Sequence, residues 1–328
     1  MRRANLCIRL VYEVTDIVLS AKLRLGGFFL LIRYNKDMAN IQWLDLLRPS
    51  DKDIKAFGKK FKIHPVTLDE LRSPSARAHV EVFKNYIYFI YYFPLYDPIE
   101  ETSWRTEIDF VVTKNAVITV HYEEIEALRN FEMSGGTKKV GSSILLAYEL
   151  VMALLNFQER QLRHIAEKTE AVGQELFKDR EKEVLEKISR LKRDVSEYRI
   201  IVKHQGPILH SLLNRGVHFG SEEDRPYLND LVGEHLRIVN QLDDYREAIS
   251  DFEDTNNQLM NIRTTEVMRT FTILSFLTFP FVLIAAIFDM NLHGTPLTDQ
   301  QYGFWIVLGT MAVAMSILVA IFKKRGWI

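Results

Sequence analysis

The sequence predicts an α+β protein in which an α/β domain with a helical hairpin precedes one long helix, and that helix continues into the first of two C-terminal membrane-crossing helices. Three observations predict this. Two apolar runs without a charge, Phe271 to Phe288 and Phe304 to Phe322, lie near the C-terminus. Each approaches the roughly 20 residues that a helix needs to cross about 30 Å of hydrocarbon. Upstream, apolar residues recur at Leu228, Leu231, Ile238, Leu242, Tyr245, Ile249, Phe252 and Leu259, at spacings of three and four or their sums, and no proline interrupts Tyr227 to Phe279. That periodicity belongs to one helix, on the order of 90 Å long if it runs on through the first apolar stretch. Before it, β-rich runs give way to Glu-, Lys-, Arg- and Leu-rich helical pattern.

The elements follow in order. Residues 1–40 form an N-terminal extension of uncertain role: a mixed apolar stretch around Gly26-Gly27-Phe28-Phe29 reads as a first strand, there is no clean signal-peptide core, and either Met1 or Met38 is the start. Residues 41–135 read as the α/β domain, with strands at Tyr86 to Tyr92, Ile108 to Thr113 and Ala116 to His121. The last two are separated by Lys114-Asn115 as in a hairpin. After Gly135-Gly136, residues 136–220 contain a helical hairpin of two antiparallel helices within 142–215. A stalk helix over 221–270 leads into the first span at 271–288, a loop at 289–303, the second span at 304–322 and a basic tail at 323–328. Lys323, Lys324 and Arg325 follow the second span, Arg263 and Arg269 precede the first, and the loop between them holds no Lys or Arg. The positive-inside rule therefore puts both termini in the cytoplasm of a multi-pass protein of the cell (inner) membrane.

Composition narrows function. The chain is 47% apolar and 26% charged, which suits a folded protein, and its net charge of −1 lacks the basic excess that nucleic-acid binding needs. Cys7 is the single cysteine, so neither an intrachain disulfide nor a Cys-based zinc site can form. No nucleophile motif, phosphate-cradling glycine loop or paired histidine cluster marks an enzyme.

Two charge and polarity patterns point to cations. Glu222 to Asp254 carries eleven carboxylates against Arg225, Arg237 and Arg246. Repeated in a symmetric oligomer, that density would repel itself unless cations bind, although any single carboxylate also reads as part of a solvated face. Where the long helix nears the bilayer, Asp254, Gln258, Asn261, Thr265, Met268, Thr272 and Ser275 follow one another at alternating spacings of four and three. Such a stripe suits the wall of a water-filled pore; it equally suits hydroxyls bonded back to their own helix carbonyls.

Phe288-Asp289-Met290-Asn291, directly after the first span, resembles the CorA family of magnesium and divalent-cation transporters, whose signature here is Gly-Met-Asn. The resemblance extends to Glu266-Val267-Met268, Pro280, Tyr302-Gly303-Phe304-Trp305 and the basic end from Phe322. It also takes in Ile63-His64-Pro65 with Leu68-Asp69-Glu70, the stretch Val80 to Tyr86, and Val112-Thr113-Lys114-Asn115. It implies a funnel-shaped homopentamer in the lipid membrane, its first spans around the pore, carrying hydrated Mg2+ with Co2+, Ni2+ or Zn2+ as alternatives. The matching positions are a selectivity filter at Asp289, Met290 and Asn291, and pore-lining or gating residues at Thr265, Met268, Phe271, Thr272, Ser275, Phe279, Val282 and Ala286. An intersubunit regulatory Mg2+ site falls at Asp69, Glu70 and Asp230, with a stalk cation site at Asp254. The departure is Asp289, which puts a charge and a Cβ where the family has glycine. It leaves open a different ion preference, or a non-conducting relative.

Overall fold

The computed structural model describes residues 18–25, 28–35, 41–135, 140–178, 180–289 and 302–326, and it divides into two compact units, 1–252 and 253–328. In the first unit the described residues form a seven-stranded mixed sheet. Its strands are β1 (Val18–Leu25), β2 (Phe28–Asn35), β3 (Gln42–Leu47), β4 (Val80–Val82), β5 (Tyr86–Asp97), β6 (Thr102–Thr113) and β7 (Ala116–His121), in spatial order β1-β2-β3-β7-β6-β5-β4. The hairpin expected across Lys114-Asn115 is β6–β7, pairing Val112 with Val117. The parallel partnership of β3 with β7, Trp43 beside Val117, has no counterpart in local sequence pattern.

Strand β5 explains why both faces of the sheet are covered. Side chains of a strand alternate between faces, and here both alternating sets are apolar or aromatic. Ile87, Phe89, Tyr91 and Phe93 join one core, and Tyr86, Tyr88, Ile90 and Tyr92 the other. The second core packs under α1 (Asp51–Phe61) and α2 (Pro65–Glu70). Ser50 and Asp53 form a capping box at the start of α1, and Pro65 opens α2 at the position where a missing N–H costs least. The first core packs under α3 (Glu126–Met133), α4 (Ser143–Glu175), α5 (Glu181–Lys203) and α6 (Gln205–Phe219). The helical hairpin is thus three helices rather than two. The chain breaks at His204 because Pro207 lacks the N–H that would bond Lys203, and its ring clashes with that carbonyl, so it is accommodated only in the first turn of a new helix.

Helix α7 (Arg225–Asp289) is one helix of 65 residues, with Pro280 inside it. In the first unit its buried seam is Leu228, Leu231, His235, Ile238, Leu242 and Ile249, most of them 1% exposed or less. The seam keeps alternating spacings of three and four. The second unit holds the remainder of α7 and α8 (Gly303–Lys324). Here most of the described residues are exposed, and each helix contains a stretch long and apolar enough to cross a membrane, of which only Ile273 in the first is buried. A soluble protein hides such surface, so the solvent these helices suit is hydrocarbon. Arg269 donates a hydrogen bond to the carbonyl of Gly326, which ties the start of the first apolar stretch to the end of α8. Gly326, at φ +66°, turns the chain there at no Cβ cost.

Candidate functional site: the exposed stripe of the long helix

The buried seam of α7 fixes what its other side presents. Residues displaced from the seam by about half a turn must face outward, since successive residues rotate by about 100°. Starting at Asp230 and alternating steps of three and four, those positions are Asp230, Gly233, Arg237, Asn240, Asp244, Glu247, Asp251 and Asp254. The same steps continue through Gln258, Asn261, Thr265, Met268, Thr272, Ser275, Phe279, Val282 and Ala286 to Asp289, and every one of these residues is exposed. A seven-residue repeat falls short of two full turns by about 20°, so the stripe winds slowly around the helix axis. Only its part from Asp254 onward stands out in the sequence by polarity. The earlier part was legible through the same spacing but lay hidden among other carboxylates on neighbouring faces.

Chemistry changes along the stripe in a definite order. The first third is acidic, and none of Asp244, Glu247, Asp251 and Asp254 has an ion-pair partner among the described residues. Its one cation, Arg237, is neutralised by Glu159 at 2.8 Å and by Glu234. Amides and hydroxyls follow. Thr265 Oγ1 donates to the Asn261 carbonyl at 2.9 Å and Thr272 Oγ1 to the Met268 carbonyl at 2.8 Å. Both hydroxyls therefore bond back to their own helix, and that geometry sharpens their chemistry rather than cancelling it. A hydroxyl whose only proton points inward offers the outside its acceptor lone pairs alone. Next come Phe279, Val282 and Ala286, and α7 ends on exposed Asp289. Phe271 is 62% exposed but lies one position off the stripe. Met290 and Asn291, the other expected filter residues, lie outside the described residues.

The three residues expected to hold a regulatory ion are on α2 and the first turns of α7. Asp69 is exposed and pairs with Arg72 at 2.9 Å. Glu70 is half-buried, and the oxygen of it that lies 3.4 Å from His79 Nε2 makes no hydrogen bond. Asp230 accepts a hydrogen bond from the Tyr148 hydroxyl at 2.9 Å, a contact nothing in the sequence pattern announced. Among the described residues no group of three or more His, Cys, Asp or Glu side chains is gathered closely enough to hold a metal within one chain.

An α+β unit, a single helix that runs from its core into a hydrophobic stretch, and a second apolar helix after it define a class of membrane protein with two C-terminal spans and a large extramembrane unit. The particular family is shown by sequence. Residues 38–324 match the model of the CorA-like Mg2+ transporter protein family, and the chain belongs to it. It is 25% identical over 299 residues to the cobalt/magnesium transport protein CorA of Thermotoga maritima, covering 89% of this chain and 85% of that one. To the cobalt/magnesium transport protein CorA of Methanocaldococcus jannaschii it is 26% identical over 296 residues, covering 87% and 91%. The solved structure of the CorA magnesium transporter from Methanocaldococcus jannaschii superposes with a TM-score of 0.79 at 22% identity, covering 96% of this chain and all of that one.

Proposed function

We propose that copies of this chain assemble around an axis, as a homopentamer, into a channel that carries hydrated Mg2+, with Co2+ as a second cargo, across the cell membrane. Both termini are cytoplasmic in this reading, because Arg263, Arg269, Lys323, Lys324 and Arg325 sit at the ends of the two apolar helices. The observation that carries it is the unbroken exposed stripe on α7. A stripe with a seven-residue period stays on the axis of a left-handed bundle, so self-association turns one winding line into the wall of a conduit. The relatives named as cobalt/magnesium transport proteins supply the cargo.

The order of chemistry along the wall suits that cargo. Carboxylates from Asp244 to Asp254 concentrate divalent ions without stripping them, and Asp254 is the natural waiting position at the end of the acidic third. Magnesium gives up its waters reluctantly, and those waters point protons outward. Acceptor-only surfaces therefore recognise the hydrated ion: the back-bonded hydroxyls of Thr265 and Thr272, Ser275, and the side-chain carbonyl of Asn291. Apolar positions at Met268, Phe279 and Val282, with Phe271 at the edge and Ala286 beyond, close the path by excluding water. Asp69 and Glu70 of one copy and Asp230 of the next bind regulatory Mg2+ and hold the closed state, since bound ions offset the repulsion between them.

Flux into liposomes, measured side by side for Mg2+, Co2+, Ni2+ and Zn2+, tests the function. Saturable Mg2+ uptake supports it, and liposomes that pass none of the four ions overturn it. Asp289 favours a second reading, a shifted ion preference, because a ring of carboxylates at the filter binds divalent ions more tightly than glycine does. In the same assay Asp289→Gly then moves the order of preference towards Mg2+; an unchanged order removes that reading.

A further inference from the structure

The parallel strands β3 and β7 end side by side, Leu47 beside His121, and a chain of polar groups ties them together. Trp43 Nε1 donates to Thr119 Oγ1 at 3.0 Å, and the Thr119 hydroxyl donates to Asp45 Oδ1. His121 completes the chain. Its side chain is 5% exposed, with Nε2 3.1 Å from Asp45 Oδ1 and Nδ1 2.6 Å from the Glu123 carbonyl. Arg48, just past β3, closes over the end of β7. At φ +49° it holds a left-handed conformation that is uncommon for any residue but glycine. Its backbone N–H donates to the His121 carbonyl at 2.8 Å, its Nε to the Tyr122 carbonyl and its Nη2 to Glu123 at 2.7 Å. The segment that leads from β7 to α3 is thereby fastened to the one that leads from β3 to α1.

Both ring nitrogens of His121 face oxygens that act as acceptors. The Glu123 carbonyl has no proton to give, and Asp45 Oδ1 is already accepting from Thr119. A neutral imidazole has one N–H and would aim a lone pair at one of the two; only the imidazolium satisfies both. The surrounding charge agrees. His121 borders a cavity between the sheet and α3, α4 and α5, where Asp45, Glu124, Glu126, Glu132 and Asp194 outnumber Arg129 and Lys168; His164, Tyr96 and Tyr198 are the other titratable groups that line it, and Arg48 is taken by Glu123. Burial presses the His121 pKa down, but the hydrogen bond and charge of Asp45, the Glu123 carbonyl and the charge of Glu124 outweigh it, and the net shift is upward.

We propose that His121 is a pH-sensitive latch, which as an imidazolium holds the Asp45 carboxylate and the Glu123 carbonyl together, and on losing its proton keeps Asp45 and releases Glu123. The carboxylate is the stronger acceptor and retains the remaining N–H. The Nδ1 lone pair then meets the carbonyl, and the 122–125 connection to α3 loosens. The folded state binds this proton more tightly than the unfolded chain. The latch is therefore fully closed below the unfolded pKa of about 6.5 and opens as pH rises through the higher folded value. The inference does not rest on the ion-path reading.

Solid-state NMR of the full-length protein in liposomes, with isotope-labelled histidine, tests it; loss of one signal in His121→Gln assigns His121. A titration midpoint above about 6.5, the value of a free imidazole, is expected. Asp45→Asn moves that midpoint down by about one pH unit or more, through loss of the opposite charge. Hydrogen exchange of the 122–125 amides, corrected for the intrinsic rate at each pH, rises about tenfold across the titration, the worth of one charge-assisted hydrogen bond. In His121→Gln the same exchange is fast and independent of pH. A midpoint at or below that of free imidazole overturns the proposal, as does a midpoint that Asp45→Asn leaves in place, or parent exchange unchanged across the titration. If Asp45→Asn does not fold, the parent midpoint and the exchange comparison decide.

Discussion

Within one helix, α7, the stretch Arg225 to Phe252 and the stretch Glu253 to Asp289 solve different problems with the same spacing. In the first, Leu231, Ile238 and Leu242 are 1% exposed or less, while Asp244 and Glu247 half a turn away are exposed. The core pins that side of the helix, and the stripe is whatever remains. In the second stretch most residues are exposed, including Phe279 at 72% and Leu283 at 54%. In the first stretch the buried seam therefore sets the stripe opposite it, although off-stripe residues such as Leu236 are exposed as well; in the second, the proposed assembly has lipid and neighbouring copies cover the apolar surface, and the stripe is followed by its period. A pattern fixed by packing in one half can be followed into a half where packing within the chain is a weaker guide, since the less exposed Ile273, Leu277, Pro280 and Ile284 keep the same spacing of three and four.

The largest expected effect breaks the comparison at its pinned end. Leu242→Asp buries an unpaired charge in the seam and costs about 4 kcal/mol or more. Asp244→Leu, two residues on, changes stability by about 0.5 kcal/mol or less. Thermal unfolding of the solubilised protein compares them, and equal losses mean the helix has no distinct faces. Next in size, Asp230→Ala removes one arm of the proposed regulatory site and is expected to raise the internal Mg2+ needed to inhibit uptake about tenfold, a typical coupling magnitude. Uptake as sensitive as that of the parent refutes the sensor assignment. Thr272→Val then tests the hydroxyl wall. It slows Mg2+ flux about fivefold through loss of one acceptor and leaves unfolding unchanged; flux equal to that of the parent means that water contacts at this level do not matter.

The smallest effect sharpens the seam. Burial holds the His235 pKa below its usual value, against the hydrogen bond to the Val202 carbonyl at 2.9 Å, with His210 pressing the same way as burial. The folded state thus binds fewer protons than the unfolded chain. Stability is fully present above the unfolded pKa of about 6.5 and is lost as pH falls below it. His235→Gln, which keeps a donor for Val202, flattens unfolding temperature between pH 7 and pH 5; a slope equal to the parent's places the titrating group elsewhere.

Much of this architecture was legible because its signals are local. Uncharged runs mark the apolar helices, Lys114-Asn115 marks a hairpin, and the three-and-four spacing from Leu228 marks the seam. What stayed hidden depends on contacts distant in sequence. Nothing near Trp43 says that it lies beside Val117 in a parallel pair, and nothing near Asp230 announces Tyr148. The split of the expected hairpin into three helices was readable at Gly206-Pro207 and was outweighed there by the continuous charged-helix pattern around it. The stripe was half legible: polarity revealed it from Asp254 onward, whereas upstream it needed the buried seam to separate its carboxylates from those of other faces.

Cysteine accessibility tests the central claim most directly. With Cys7 replaced by serine, single cysteines at each position from Thr265 to Ala286 are exposed, in lipid, to a small hydrophilic thiol reagent. Reaction at positions 265, 268, 272, 275, 279 and 282, repeating at alternating three and four, with protection at 273, 277 and 284, is the predicted result. Reaction that follows no such period, or that peaks at 273, 277 and 284, contradicts the account.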